Sequence, residues 1–74
     1  MNKLEFFRRL AEILNVEEVT EGNVLKDFDE WDSLSVLSVL AMADAKYGVV
    51  IHADEIRSVV KAADLAELVE AKQK

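Results

Sequence analysis

No proline occurs anywhere in these 74 residues, and only two glycines do. Those are the two residues that most oppose a helix interior, proline by removing a donor and clashing with the preceding turn, glycine by its backbone entropy. Few β-branched residues stand in succession, so helix is open to the chain almost throughout. Cysteine is absent as well. That excludes a disulfide framework, a thiolate metal site and a thiol nucleophile within the chain. A domain this small and without staples must be held by well-packed secondary structure alone. Apolar residues make up 51%, too many for a disordered segment, so residues 1–74 are expected to fold as one domain.

The apolar spacing divides the chain. Leu4, Phe7, Leu10, Ala11 and Leu14 recur at helical intervals between Lys3 and Leu14, with Phe6 and Ile13 widening the stripe, Asn2 suited to the N-cap and Asn15 to the stop. From Val16 to Asp32 no period is sustained. Gly22-Asn23 signals a turn, and Val16, Val19, Val24, Leu25 and Phe28 are expected to pin a long loop to the core. A loop of that length is uncommon unless it has a function or holds a short helical turn. A second helix is predicted from about Ser33 to Lys46, with Gly48 just past its end. Two rows, Leu34-Leu37-Ala41 and Val36-Leu40-Ala43-Tyr47, are expected to form its buried face. Ser35, Ser38, Val39 and Met42 then lie outward with Lys46, as a candidate partner surface. Val49-Val50-Ile51 has nothing to pair with and reads as a buried connector, and Asp54-Glu55-Ile56-Arg57 as one short helical turn. Ala62, Leu65, Ala66, Leu68 and Val69 set a last helix from about Lys61 to Lys72, with Lys72 and Lys74 suiting its C-terminal end. The expected fold is all-α: a small four-helix bundle of three main helices and one short one, with a long loop between the first two.

Net charge is −6, and all of it resides in one stretch. Between Glu17 and Asp32 stand Glu17, Glu18, Glu21, Asp27, Asp29, Glu30 and Asp32 against the single base Lys26. The rest of the chain is neutral. Nucleic acid is excluded as a partner, because phosphate binding needs a basic footprint. Basic protein surfaces suit the stretch better, unless it serves only as a solvated face. No apolar run approaches a membrane span, and Lys3, Glu5, Arg8 and Arg9 near the N-terminus do not read as a signal peptide, so a cytoplasmic protein without membrane contact is expected.

Enzyme chemistry finds little support. The single histidine, His52, follows an apolar run and reads as a surface or loop residue. The carboxylates belong to a solvated run, no glycine-rich phosphate loop exists, and the ligand count excludes zinc. No catalytic residue and no metal ligand is assigned. What remains is Trp31-Asp32-Ser33-Leu34, where the acidic loop meets the second helix. Asp and Ser are both preferred N-caps, so this tetrapeptide can be read as an ordinary helix start. Trp31 suits a role covering the core there.

The order of several such segments is more specific. Asp32-Ser33-Leu34 follows a long acidic loop near the middle of the chain. Tyr47-Gly48-Val49 stands fourteen residues on, then Ile51 to Ile56, then Asp64-Leu65-Ala66-Glu67-Leu68-Val69. Over nearly its full length the chain resembles the acyl carrier protein family, with Asp32-Ser33-Leu34 matching that family's attachment motif. The resemblance implies a monomeric, non-catalytic shuttle in lipid or secondary-metabolite biosynthesis. Ser33 would bear a covalent 4′-phosphopantetheine arm, flanked by Asp32 and Leu34. The arm would be installed by a phosphopantetheinyl transferase with magnesium and coenzyme A, and would carry acyl groups as thioesters to acyl-activating or acyl-transferring enzymes. Fatty-acid carriers of the family bear acids on the second helix where this chain has Ser35 and Ser38, so a specialised carrier is implied rather than a general one. A carrier of aminoacyl groups would be built the same way. From a different class, an unmodified helical adaptor docking its acidic loop on a basic partner also fits the residues. Lys61 stands where the family often begins its last helix with Ser or Thr, and that end is expected to fray.

Overall fold

In the computed structural model, which describes residues 1–73, the helical spacing becomes four helices: α1 (Lys3–Leu14), α2 (Ser33–Tyr47), α3 (Ala53–Ser58) and α4 (Ala62–Lys72). Three long helices and a short one, with a long loop between the first two, form the expected four-helix bundle. Lys74, assigned to the end of α4, lies outside the described residues. No helix among them is long and apolar enough to cross a membrane.

Local chemistry sets each boundary. Asn2 caps α1 by accepting from the Glu5 N–H at 3.1 Å, and Asn15 ends it in the left-handed region at φ 56°. Asparagine tolerates that conformation better than most side chains. Gly48 ends α2 the same way at φ 66°, where any side chain would be strained. The one-sided stripe of α1 buries Phe6, Phe7, Leu10, Ala11 and Leu14, while Leu4 at its first turn is left exposed. Helix α1 packs on both α2 and α4, and the Phe6 and Tyr47 rings meet edge to face with centroids 5.9 Å apart. Leu65, Ala66 and Val69 of α4, Ile56 of α3 and Val39 and Ala43 of α2 complete one core.

The loop is held down as its scattered apolar residues predict. Val19 and Leu25 are buried and Val24 and Phe28 half-buried, but Val16 is exposed. A single 3-10 turn, Leu25–Asp27, breaks its length. Backbone bonds then tie the loop to the far end of the chain. Val24 and Lys61 form an isolated antiparallel bridge, and the Leu25 N–H donates to the Val60 carbonyl at 2.9 Å. Two amides at the start of α4, Ala62 and Ala63, donate to the Asn23 and Glu21 carbonyls.

That last contact corrects the expectation of fraying at Lys61. A lysine side chain cannot accept a hydrogen bond, so it caps nothing. The loop carbonyls take over the work for the first amides of α4, and the Asp64 carboxylate accepts from the Lys61 N–H at 3.1 Å. Val49-Val50-Ile51 is also only partly the buried connector expected. Its backbone is extended, so alternate side chains face opposite ways: Val49 and Ile51 are buried and Val50 is exposed.

Candidate functional site

Asp32 and Ser35 build the start of α2 between them. The Asp32 carboxylate accepts from the Ser35 N–H at 3.0 Å, and the Ser35 hydroxyl accepts from the Asp32 N–H at 2.9 Å. The same hydroxyl donates to the Asp32 carbonyl at 3.0 Å. This reciprocal box satisfies two of the four amides that a helix start leaves open, those of Asp32 and Ser35. Asp32 is therefore the N-cap, and Ser33 is the first residue of the helix.

Ser33 takes no part in the cap. It is exposed, and its hydroxyl has no hydrogen-bond partner among the described residues. A serine at a helix start is ordinarily explained by capping; here Asp32 and Ser35 do that work. The amides of Ser33 and Leu34 likewise find no protein acceptor, whereas those of Ser35 and Val36 bond to Asp32. An exposed hydroxyl thus sits beside two unpaired N–H groups at the positive end of a fifteen-residue helix.

Ser33 also stands at the mouth of a groove of about 390 Å³ between α2 and α3. Val36, Leu37, Leu40 and Ile56 give it an apolar lining, and Arg57 supplies a guanidinium. The Arg57 Nε donates to the Ala53 carbonyl at 3.2 Å, and no carboxylate of the described residues pairs with the guanidinium. A hollow of about 400 Å³ beside α1 is marginally larger but shares none of these residues. Trp31, next to the cap, is half-buried against the core as expected.

The partner surface expected on α2 is corrected by burial. Ser35 is only 6% exposed and held in the cap, Val39 is fully buried, and Met42 is half-buried against the core. Of the five residues assigned outward, only Ser38 and Lys46 are exposed. The outward face holds Leu34 and Leu37, 74% and 61% exposed, with Ala41. Of the two rows expected inside, the one containing Val36, Leu40, Ala43 and Tyr47 does face the core, wholly or in part. The other is outside. The reason is that α2 is apolar nearly all round, so spacing alone selects no single face. Small side chains at Ser35, Val39 and Ala43 let helices approach closely, as packed helices require, and packing of that row on the core sets the rotation. For Ser35 alone a local signal exists: serine three residues after an Asp cap reads as its reciprocal partner.

His52 is exposed and forms the start of α3, where its N–H donates to the Glu55 carboxylate at 2.9 Å. Glu55 also pairs with Lys72 at 3.0 Å. The His52 amide first, and Lys72 with it, hold the Glu55 carboxyl below the ordinary glutamate range. Among the described residues no group of three or more His, Cys, Asp and Glu side chains is placed to hold a metal ion. Set against protein-family models, curated proteins and solved structures, the chain matches none.

Proposed function

We propose that the chain is an acyl carrier whose attachment residue is Ser33. The observation that carries this reading is the spare hydroxyl: Ser33 is exposed at the first turn of α2, and the cap is complete without it. The residues suit a phosphopantetheine arm, since the unpaired Ser33 and Leu34 amides and the helix dipole favour a phosphodiester there. During loading, the Ser33 Oγ attacks the pantetheine-bearing phosphorus of coenzyme A, held with magnesium by a transferase. An Oγ–P bond forms, the P–O bond to the nucleotide breaks, the serine proton passes to a base of the transferase, and 3′,5′-ADP leaves. Once attached, the arm supplies the terminal thiol that the cysteine-free chain lacks. The apolar side chains of Val36, Leu37, Leu40 and Ile56 would shield an acyl group lodged between α2 and α3. Partner enzymes would meet the outward face of α2. That face offers Leu34 and Leu37 rather than acids, so apolar burial governs recognition there, which favours a dedicated pathway in the cytoplasm over general fatty-acid synthesis.

The test is to incubate the purified chain with a broad-specificity phosphopantetheinyl transferase, magnesium and coenzyme A, and to weigh the intact protein. One added phosphopantetheine on wild type and none on Ser33→Ala is the expected result. An unchanged wild-type mass would overturn the carrier reading and leave the unmodified adaptor.

A further inference from the structure

We propose that Arg57 selects the cargo: the acyl group suited to the groove between α2 and α3 ends in a carboxylate, which the Arg57 guanidinium receives at the rim. The inference rests on the carrier reading, since it takes Ser33, at the mouth of the same groove, as the point from which the cargo hangs. Val36, Leu37, Leu40 and Ile56 make the walls apolar, and Arg57 is the one charged residue among the described residues that lines them.

The guanidinium is held in place but not used up. Its Nε donates to the Ala53 carbonyl at 3.2 Å, and its Nη donors have no partner among the described residues. Of the two acids on α3, Glu55 is taken by Lys72 and by the His52 amide, and Asp54 makes no ion pair. A wholly apolar acyl group would cover the walls and leave this charge unanswered. A carboxylate at the far end of the chain matches the planar fork that the Nη groups present. The position suits a charge as well. Arg57 is exposed, so the carboxylate keeps part of its water while the methylenes are buried, and it escapes the cost of a buried ion. An aminoacyl group would instead bring its ammonium against a like charge, which disfavours it as cargo.

The test loads Ser33 with the broad-specificity transferase, magnesium and either hexanoyl- or adipoyl-coenzyme A. The two groups are equal in length and differ in a terminal carboxylate. Intact mass shows first whether the chain is loaded. Hydroxylamine then attacks the thioester carbonyl, the acyl group leaves as its hydroxamate and the thiol of the arm is restored, so the release rate reports how well each group is sheltered. Arg57→Gln is expected to speed adipoyl release about two- to fivefold, the size of an exposed ion pair, and to leave hexanoyl release and the circular dichroism spectrum unchanged. In NMR spectra of wild type, the Arg57 Nε–H resonance is expected to shift on loading with adipoyl but not with hexanoyl. A loaded protein in which Arg57→Gln affects both groups alike, or neither, overturns the cargo proposal and leaves the carrier reading intact. A resonance that moves when the bare arm is attached, and no further with adipoyl, assigns the guanidinium to the phosphodiester and overturns it too. A wild type that gains no mass overturns the carrier reading, and the cargo proposal with it.

Discussion

Adjacent residues at the start of α2 have separate tasks, and substitution should separate them. Asp32 holds the helix end through the Ser35 amide, whereas Ser33 makes no side-chain bond. Asp32→Ala is therefore expected to cost about 1 kcal/mol of stability, the usual loss for an N-cap. Ser33→Ala should stay within about 0.5 kcal/mol of wild type, as surface changes do, while abolishing modification. Urea denaturation and intact-mass analysis of the two variants check this. A Ser33→Ala variant as unstable as Asp32→Ala would mean that the hydroxyl belongs to the cap after all. Asp32-Ser33-Leu34 is visible in the sequence, but which of its two polar side chains caps the helix is visible only once Ser35 is seen to close the box.

For the elements, the rotation of α2 makes the sharpest claim. Val39→Ala removes two buried methyl groups and is expected to cost about 2 kcal/mol. Leu37→Ala removes more carbon from an exposed position and should cost under about 0.5 kcal/mol. Comparison of their denaturation midpoints decides which row faces the core; the rotation is wrong if the order reverses. Helix α3, only six residues long, is anchored to α4 by Glu55 and Lys72. Because the folded Glu55 carboxyl sits below its ordinary value of about 4.5, its contribution is present above that pH and is lost as pH falls through it toward the folded value. Thermal midpoints of wild type should thus fall more steeply below pH about 4.5 than those of Glu55→Gln, which keeps an acceptor for the His52 amide. Parallel acid limbs for the two proteins would remove Glu55 from the account.

Across the whole molecule, charge is the least balanced quantity. All seven acids between Glu17 and Asp32 are exposed, and none belongs to an ion pair among the described residues. Their mutual repulsion acts on the loop whose carbonyls hold the start of α4. Screening shortens the reach of that repulsion from roughly 30 Å at 0.01 M salt to about 8 Å at 0.15 M. The thermal midpoint should accordingly rise on adding sodium chloride over that range, and a variant neutralising Glu17, Glu18 and Glu21 should rise less. A flat salt profile for wild type would show that the loop is held too firmly for repulsion to matter.

Apolar spacing, two asparagines, the Asp32-Ser33 pair and one glycine were sufficient to place α1 and the ends of α2, because a helix start and stop are governed by residues within a few positions. The inward face of α1 was legible for the same reason: its stripe is one-sided. Helix α2 is not, and there only tertiary packing, with small residues against the core, chose between rows that local spacing leaves nearly equivalent. The start of α4 was likewise decided at long range. The Lys61 side chain has nothing to offer the first two amides, and the carbonyls that satisfy them lie some forty positions earlier, at Glu21 and Asn23, a pairing that no local pattern encodes because backbone carbonyls carry no side-chain signature.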